Sequence, residues 1–324
     1  LGLALGTSML GLLPIAEIQY LAYLHNAEDQ LRGEAATMQF FSDGAYDNPM
    51  LVRIAGLAYQ KGFGGHFHND DSVAVLRDIP GIVVIAPARG DDALELYRTA
   101  LALATRARRV VVAIEPIALY HTRDLEDGDG HWLGASTDRA ADFGAPRVYH
   151  EQASDLVIAT YANGLWMSLR AARRLEREDG IRARVLGLRF LAPLPGAEVV
   201  RHAREAGSLL VVDECRRSAG VSEELATALV EQAPEVRFAR VTSADSFVPL
   251  GEAANLVLRG DRAHVPRCEF SACVARGLYK RHPQAMGIDE RQRAIAKSRF
   301  NRLQPDTVMF EAGGPEIQAA STHF

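Results

Sequence analysis

The chain has 324 residues, 48% of them apolar and 24% charged, and a net charge of −5. That length suggests about two domains, and no apolar run reaches the roughly 18 residues of a membrane span. The negative balance argues against nucleic acid as the main partner, and three cysteines without metal-ligand spacing, Cys215, Cys268 and Cys273, fit a reducing cytoplasm better than a disulfide scaffold.

The opening LGLALGTSMLGLLP is apolar but has no basic leading segment, so it does not read as a signal peptide. It starts on Leu1 in mid-pattern, which suggests that the natural chain extends upstream. In the next stretch Glu17 and Gln19 alternate with Ala16 and Ile18, as on a strand showing polar groups on one face. Tyr23 follows; it is either a flat ring offered to a heteroaromatic ligand or an ordinary core aromatic on a short helix. Asp29 and Gln30 read as helix surface or subunit contact.

Residues 62–71, GFGGHFHNDD, combine glycines that permit a tight turn with two histidines at i and i+2. On an extended backbone His66 and His68 would share one face, and imidazoles move protons near neutral pH. A zinc site and a plain polar loop are the alternatives.

Residues 82–86 predict a buried strand, 91–105 a helix and 110–114 a second strand, an alternation that predicts a parallel sheet covered by helices on both faces. Glu115 ends that strand, where ligands gather in open α/β sheets, or else holds the connection that follows. The span 121–148, with its DLEDGDGHWLG, shows neither helix nor strand period and reads as an interdomain linker.

A second α/β pattern follows. Strands are predicted over 156–160, 185–188, 209–212 and 236–241, and helices over 165–177, 199–206 and 222–233, the second helix closed by Gly207. The run Asp213–Arg217 ends a strand and reads as a solvated ion-pair cluster, with Cys215 a weak nucleophile candidate whose arginine neighbours would lower its pKa. Beyond Leu258 the chain turns basic: 259–324 hold 11 lysines and arginines against 7 acids, with weak periodicity, as in a loosely docked tail.

Taken together and in this order, these elements resemble a known family. They are Gly2-x-Ala4-x-Gly6 before Gly11-Leu12-Leu13-Pro14, Glu17-Ile18-Gln19, Asp29-Gln30, Asn48-Pro49 with Val52-Arg53, and Gly64-Gly65-His66-x-His68. Further along stand Pro80-Gly81-Ile82-Val83-Val84, Ala86-Pro87, Glu115 before Leu119-Tyr120, Leu191-Ala192-Pro193-Leu194, Val211-Val212-Asp213-Glu214 and Gly220-Val221-Ser222-Glu223. Over residues 1–258 the chain is similar to the transketolase-type beta part of the decarboxylating component of 2-oxoacid dehydrogenases, pyruvate or branched-chain. The segment EIQYLAYLHNAEDQLRGEAA is similar to actinobacterial-type chains in which alpha and beta parts are fused.

The resemblance implies an α/β fold of two three-layer domains with mostly parallel sheets. These are a thiamine-diphosphate-binding pyrimidine domain at 1–120, a linker at 121–150, a transketolase C-terminal-like domain at 151–258, and a divergent tail at 259–324. It implies a cytoplasmic enzyme that decarboxylates a 2-oxoacid oxidatively and passes the acyl unit to lipoyl. A ketol transferase or sugar-phosphate synthase of the transketolase group, or a non-catalytic assembly module, is the alternative. By the same resemblance His68 lies over the thiazolium and handles protons, His66 helps on the substrate or phosphate side, Tyr23 packs on the aminopyrimidine, and Gln19 borders it. No protein ligand to a catalytic metal is expected here: magnesium comes through the alpha part, and Gly128-Asp129-Gly130 lacks the flanking strand and helix of a magnesium motif. The carbonyl of Met50 matches a potassium ligand, but 100–109 hold no Asp or Asn to complete that site. The family's ylid-forming glutamate falls upstream of Leu1. The implied partners are an alpha part, in an alpha2beta2-type or fused homodimeric assembly, and a dihydrolipoyl acyltransferase core with its lipoyl domain. Neither nucleic acid nor membrane is implied, and the chain is expected to be inactive without the alpha part.

Overall fold

A computed structural model of the chain describes residues 1–57, 65–243, 245 and 247. The basic tail 259–324, with Cys268 and Cys273, lies outside those residues, as do Gly62, Phe63 and Gly64 of the glycine–histidine element.

Two five-stranded sheets organise the chain. The first half contributes helix α1 (Gly2–Met9), strand β1 (Ile15–Ile18), short α2 (Met38–Phe41), β2 (Met50–Gly56), α3 (Val73–Arg77), β3 (Val83–Ile85), α4 (Gly90–Arg106) and β4 (Val110–Pro116). The second half contributes β5 (Arg147–Tyr149), β6 (Leu156–Thr160), α5 (Ala162–Asp179), β7 (Ala183–Gly187), β8 (Phe190–Ala192), α6 (Gly196–Ala206), β9 (Ser208–Arg216), α7 (Val221–Gln232) and β10 (Arg237–Ser243). The sheets run in the orders β1-β2-β4-β3-β8 and β10-β9-β6-β7-β5. All pairs are parallel except those made by β8 and β5. This is the expected pair of α/β units with mostly parallel sheets.

The strand predictions rest on continuous apolar runs, and the structure shows why those runs exist. Every residue of β4 and β6 is buried, because both faces of each sheet are covered. The helix predicted to stop at Gly207 does so, with Gly207 at φ +67° in the left-handed cap that an L side chain resists.

Three features differ from expectation. First, β8 follows β7 in sequence yet leaves its own sheet and pairs antiparallel with β3, so the second half completes the first sheet. Second, 121–148 was expected to hold no strand, but Arg147–Tyr149 is one and pairs with β7. Third, the linker is not a bare tether: Trp132 and Leu125 are buried in a core with Ile158, Leu165 and Leu169 of the second unit. Apolar side chains in an otherwise polar segment anchor it wherever a neighbouring sheet face offers area to cover. The largest core also crosses the seam, joining Val84 and Ile114 of the first sheet to Tyr161, Leu188 and Leu191. Among the described residues no helix is long and apolar enough to cross a membrane.

Candidate active site

The carboxyl end of β1 hands the chain to a 3₁₀ turn, Leu21–Asn26, buried through Leu21 and Leu24. Gln19 lies exposed at the junction. Tyr20 and Tyr23 meet edge to face with centroids 6.0 Å apart. The Tyr20 ring in turn packs on His68, at 4.3 Å and a 40° tilt. The structure thus brings Tyr23 and His68 to one place through Tyr20, a residue with no mark in the sequence beyond following Gln19. Its role is visible only once the turn at 21–26 is set against the histidine element.

His66 does not share a face with His68. That expectation assumed an extended backbone, whereas Gly65–Phe67 is a 3₁₀ turn, whose tighter rotation sends i and i+2 apart. His66 instead meets Phe247 edge-on at 4.6 Å, and its Nδ1 stands 3.8 Å from Asp70 Oδ1. Among the described residues that buried Nδ1 has no hydrogen-bond partner, and neither has Asp70 Oδ2. The zinc alternative lacks its donors: no group of three or more His, Cys, Asp or Glu among the described residues could hold a metal ion.

Behind the histidines lies a polar seam between the two halves. Asp70 and Asp71 are buried on one side, and Asp213, Glu214 and Cys215 on the other. β9 does not end at Asp213 but runs on through Arg216, so the expected solvated ion-pair cluster is an interior one. Asp213 accepts from the Tyr161 hydroxyl at 2.8 Å, from the Cys215 amide at 3.0 Å and from the Ser222 amide at 2.7 Å. Gly220 lets this close: a Cβ there would lie 2.6 Å from Asp213 Oδ2 and 2.8 Å from the Arg216 carbonyl. Glu214 accepts from the backbone amide of Asn163 at 3.2 Å and from its side-chain amide. Burial pushes the Cys215 thiol well above its usual range, with Asp213 and Asp71 adding to the rise. That removes the expected arginine-activated thiolate, because burial and the neighbouring acids both disfavour a charged sulfur.

Burial also pushes the Asp71 carboxyl up to about 7, against the pull of Arg216 and with the help of Asp70 and Asp213. Burial likewise raises Glu214 to about 8. An acid raised in the folded state keeps its proton after the unfolded chain has released its own. Stability therefore falls as pH climbs from about 4 to about 7 for Asp71. Asp71→Asn removes that decline: its melting temperature should gain on the wild type across this window and level off above it. By pH 8 the gain is expected to be on the order of 4 kcal/mol. Parallel melting curves from pH 4 to 8 would show that Asp71 does not hold a proton.

Glu115 serves the second of the two roles open to it. It takes Arg53 through two bonds of 3.0 and 3.1 Å, Tyr120 at 2.6 Å, and Tyr97. Burial favours the neutral acid, but Arg53, Tyr120 and Tyr97 outweigh it and hold the carboxyl below its usual range. Glu17 joins through Arg53, so this group ties β1, β2 and β4 to Tyr120, just before the linker.

The likeness to known proteins can be set against this geometry. Residues 1–121 match the transketolase pyrimidine binding domain and residues 147–258 the transketolase C-terminal domain. The "Pyruvate dehydrogenase E1 component subunit beta" of Staphylococcus epidermidis is 30% identical over 265 residues, covering 79% of this chain and 75% of that one. The protein of the same name from Bacillus subtilis is 29% identical over the same shares. Among solved structures, a split-gene transketolase described as an inactive beta4 tetramer superposes with a TM-score of 0.67 at 20% identity, covering 86% of this chain and 80% of that one. A transketolase mutant from Pichia stipitis gives 0.58 at 17%, covering 83% of this chain and 34% of that one. At those identities the two structures speak for the fold alone. The paired domains, the parallel sheets and the identity to curated beta subunits make this chain a member of the family of beta subunits of the thiamine-diphosphate-dependent, decarboxylating component of 2-oxoacid dehydrogenase complexes.

Proposed function

We propose that the chain is the beta part of a component that decarboxylates a 2-oxoacid, with pyruvate the first substrate to test, and passes the acyl unit to a lipoyl group. The observation that carries this reading is the packing of His68 on Tyr20, beside Tyr23, at the carboxyl end of β1. The residues fit the pyrimidine half of thiamine diphosphate: Tyr20, Tyr23 and His68 offer flat ring faces, and in the same histidine segment the buried His66 Nδ1 and Asp70 Oδ2 have no hydrogen-bond partner among the described residues. When bound, the cofactor would supply the sink for the electron pair left behind when carbon dioxide departs. In this proposal Tyr23 packs against the pyrimidine and Gln19 borders it. His68, its ring steadied by Tyr20, gives and takes the protons of acyl transfer at its imidazole nitrogens. His66 serves the substrate or diphosphate side.

The diphosphate and its magnesium belong to the alpha part in this scheme. A potassium ion beside Met50 does not fit: near the Met50–Val110 pairing, Arg108 already meets Asp47 through bonds of 2.6 and 2.7 Å, a fixed cation on that carboxylate. The division at 1–120, 121–150 and 151–258, a cytoplasmic setting, an alpha2beta2-type or fused assembly and an acyltransferase core as partner belong to the same proposal. The relatives named as E1 component beta subunits support an alpha partner within a larger complex.

The test is reconstitution of the full chain with its alpha part, thiamine diphosphate and magnesium. Lipoyl-dependent carbon dioxide release from pyruvate or a branched-chain 2-oxoacid is expected, with none from the beta chain alone. Turnover of sugar phosphates without 2-oxoacid turnover would instead identify a ketol transferase. Absence of cofactor binding with the alpha part present would leave an assembly module.

A further inference from the structure

We propose that Arg216, from the second unit, is a positioning residue for the histidine loop of the first, so that the end of β9 sets where His66 and His68 stand. The inference rests on His68 being the proton-handling group.

Just past the end of β2, the Leu57 amide donates to the Asp70 carbonyl at 3.0 Å. Asp70 therefore anchors the histidine segment 65–70 to the end of β2, and its side chain is held from the other half of the molecule. Arg216 Nη2 lies 3.3 Å from Asp70 Oδ1, and Nη1 lies 3.1 Å from Ser72 Oγ and 3.3 Å from Asp71 Oδ1. The Ser72 hydroxyl donates to the same Asp70 oxygen at 2.8 Å. His66 Nδ1 faces that oxygen too, at 3.8 Å. One guanidinium fork thus grips three successive residues that begin two positions after His68. The Phe247 ring lies 5.8 Å from the Arg216 guanidinium carbon and 4.6 Å from the His66 ring, and so touches both ends of the arrangement.

Arg216 is itself well placed to hold. It is the last residue of β9, and its backbone is in register with Ser243 of β10. A second strap runs the other way: Arg77 of α3 donates to the Leu191 carbonyl at 3.2 Å and pairs with Glu224 of α7. Planar, charge-assisted bonds of this kind fix geometry more tightly than a lysine point charge can. A small displacement of a proton donor costs much of its rate, so a residue that touches no substrate can still set turnover.

The test uses the full chain with its alpha part. Arg216→Ala should lower kcat for lipoyl acylation about 10-fold while KM for the 2-oxoacid stays within about two-fold. Arg216→Lys should recover part of that loss, as should guanidinium ion added to Arg216→Ala. Because the clamp acts through Asp70, Asp70→Asn should cost little further in the Arg216→Ala background. Amide hydrogen exchange should rise at 65–72 and stay unchanged in α6. An unaltered kcat, a loss additive with Asp70→Asn, or a lowered melting temperature with no change in exchange at 65–72 would each overturn the role. If the wild-type component turns over sugar phosphates and no 2-oxoacid, the functional proposal fails by itself. The same variants, measured on that substrate, then decide the case of Arg216.

Discussion

His68→Ala should lower lipoyl acylation by the reconstituted component by about 100-fold or more, the range that a positioned proton carrier contributes. The cofactor should still bind, because the Tyr20 and Tyr23 rings remain and the deleted imidazole lies on one side of them. Turnover and calorimetric binding therefore separate a catalytic loss from a collapsed site. His66→Ala should cost less, since its ring lies on Phe247 and faces Asp70 instead of the tyrosine pair. Equal activity of wild type and His68→Ala would remove His68 from the chemistry. A larger loss in His66→Ala would exchange the two roles.

The second large effect is expected at Asp213, on stability. The carboxylate is fully buried and accepts from Tyr161, Cys215 and Ser222. Asp213→Ala strands three donors with no water to take them, at about 1–3 kcal/mol for each unsatisfied group before relaxation. A total near 3–5 kcal/mol is expected, large for a single substitution. Asp213→Asn keeps an acceptor oxygen and should cost roughly half as much. Denaturant midpoints for the two variants test the order. A cost below about 1 kcal/mol for Asp213→Ala would mean that water reaches this seam. The same contacts place the N-terminus of α7 against the end of β9, so the loss should be accompanied by loosening of the wall behind the histidines.

Much of the fold is legible in the chain. A strand buried on both faces must be apolar throughout, so 82–86, 110–114 and 156–160 announce β3, β4 and β6 without reference to anything distant. Helices show their period because one face alone is covered, and Gly207 shows its stop because only glycine accepts the left-handed cap cheaply. The family resemblance was legible too, since it rests on ordered short motifs. His68, Tyr23 and Gln19 stood out by those motifs, and the structure places Tyr23 and His68 together.

What lay out of reach was any property set by a partner far along the chain. Tyr20 acquires its place only when the 21–26 turn meets the histidine element. β8 is a short apolar run like its neighbours, and nothing local tells it to complete a different sheet. Arg147–Tyr149 sits in a polar segment and becomes a strand because β7 offers an open edge. Asp213 and Glu214 have the composition of a surface cluster and are interior, where Tyr161, Asn163 and Ser222 meet them.

The sequence by itself thus determined the buried strands and long helices it marked and the two-unit α/β class, because each depends on local periodicity or local backbone preference. Tertiary structure alone decided which histidine meets an aromatic stack, which acids are buried, and that Arg216 reaches Asp70 from 146 positions away. Burial and pairing are properties of two surfaces in contact, and one stretch of chain encodes only one of them.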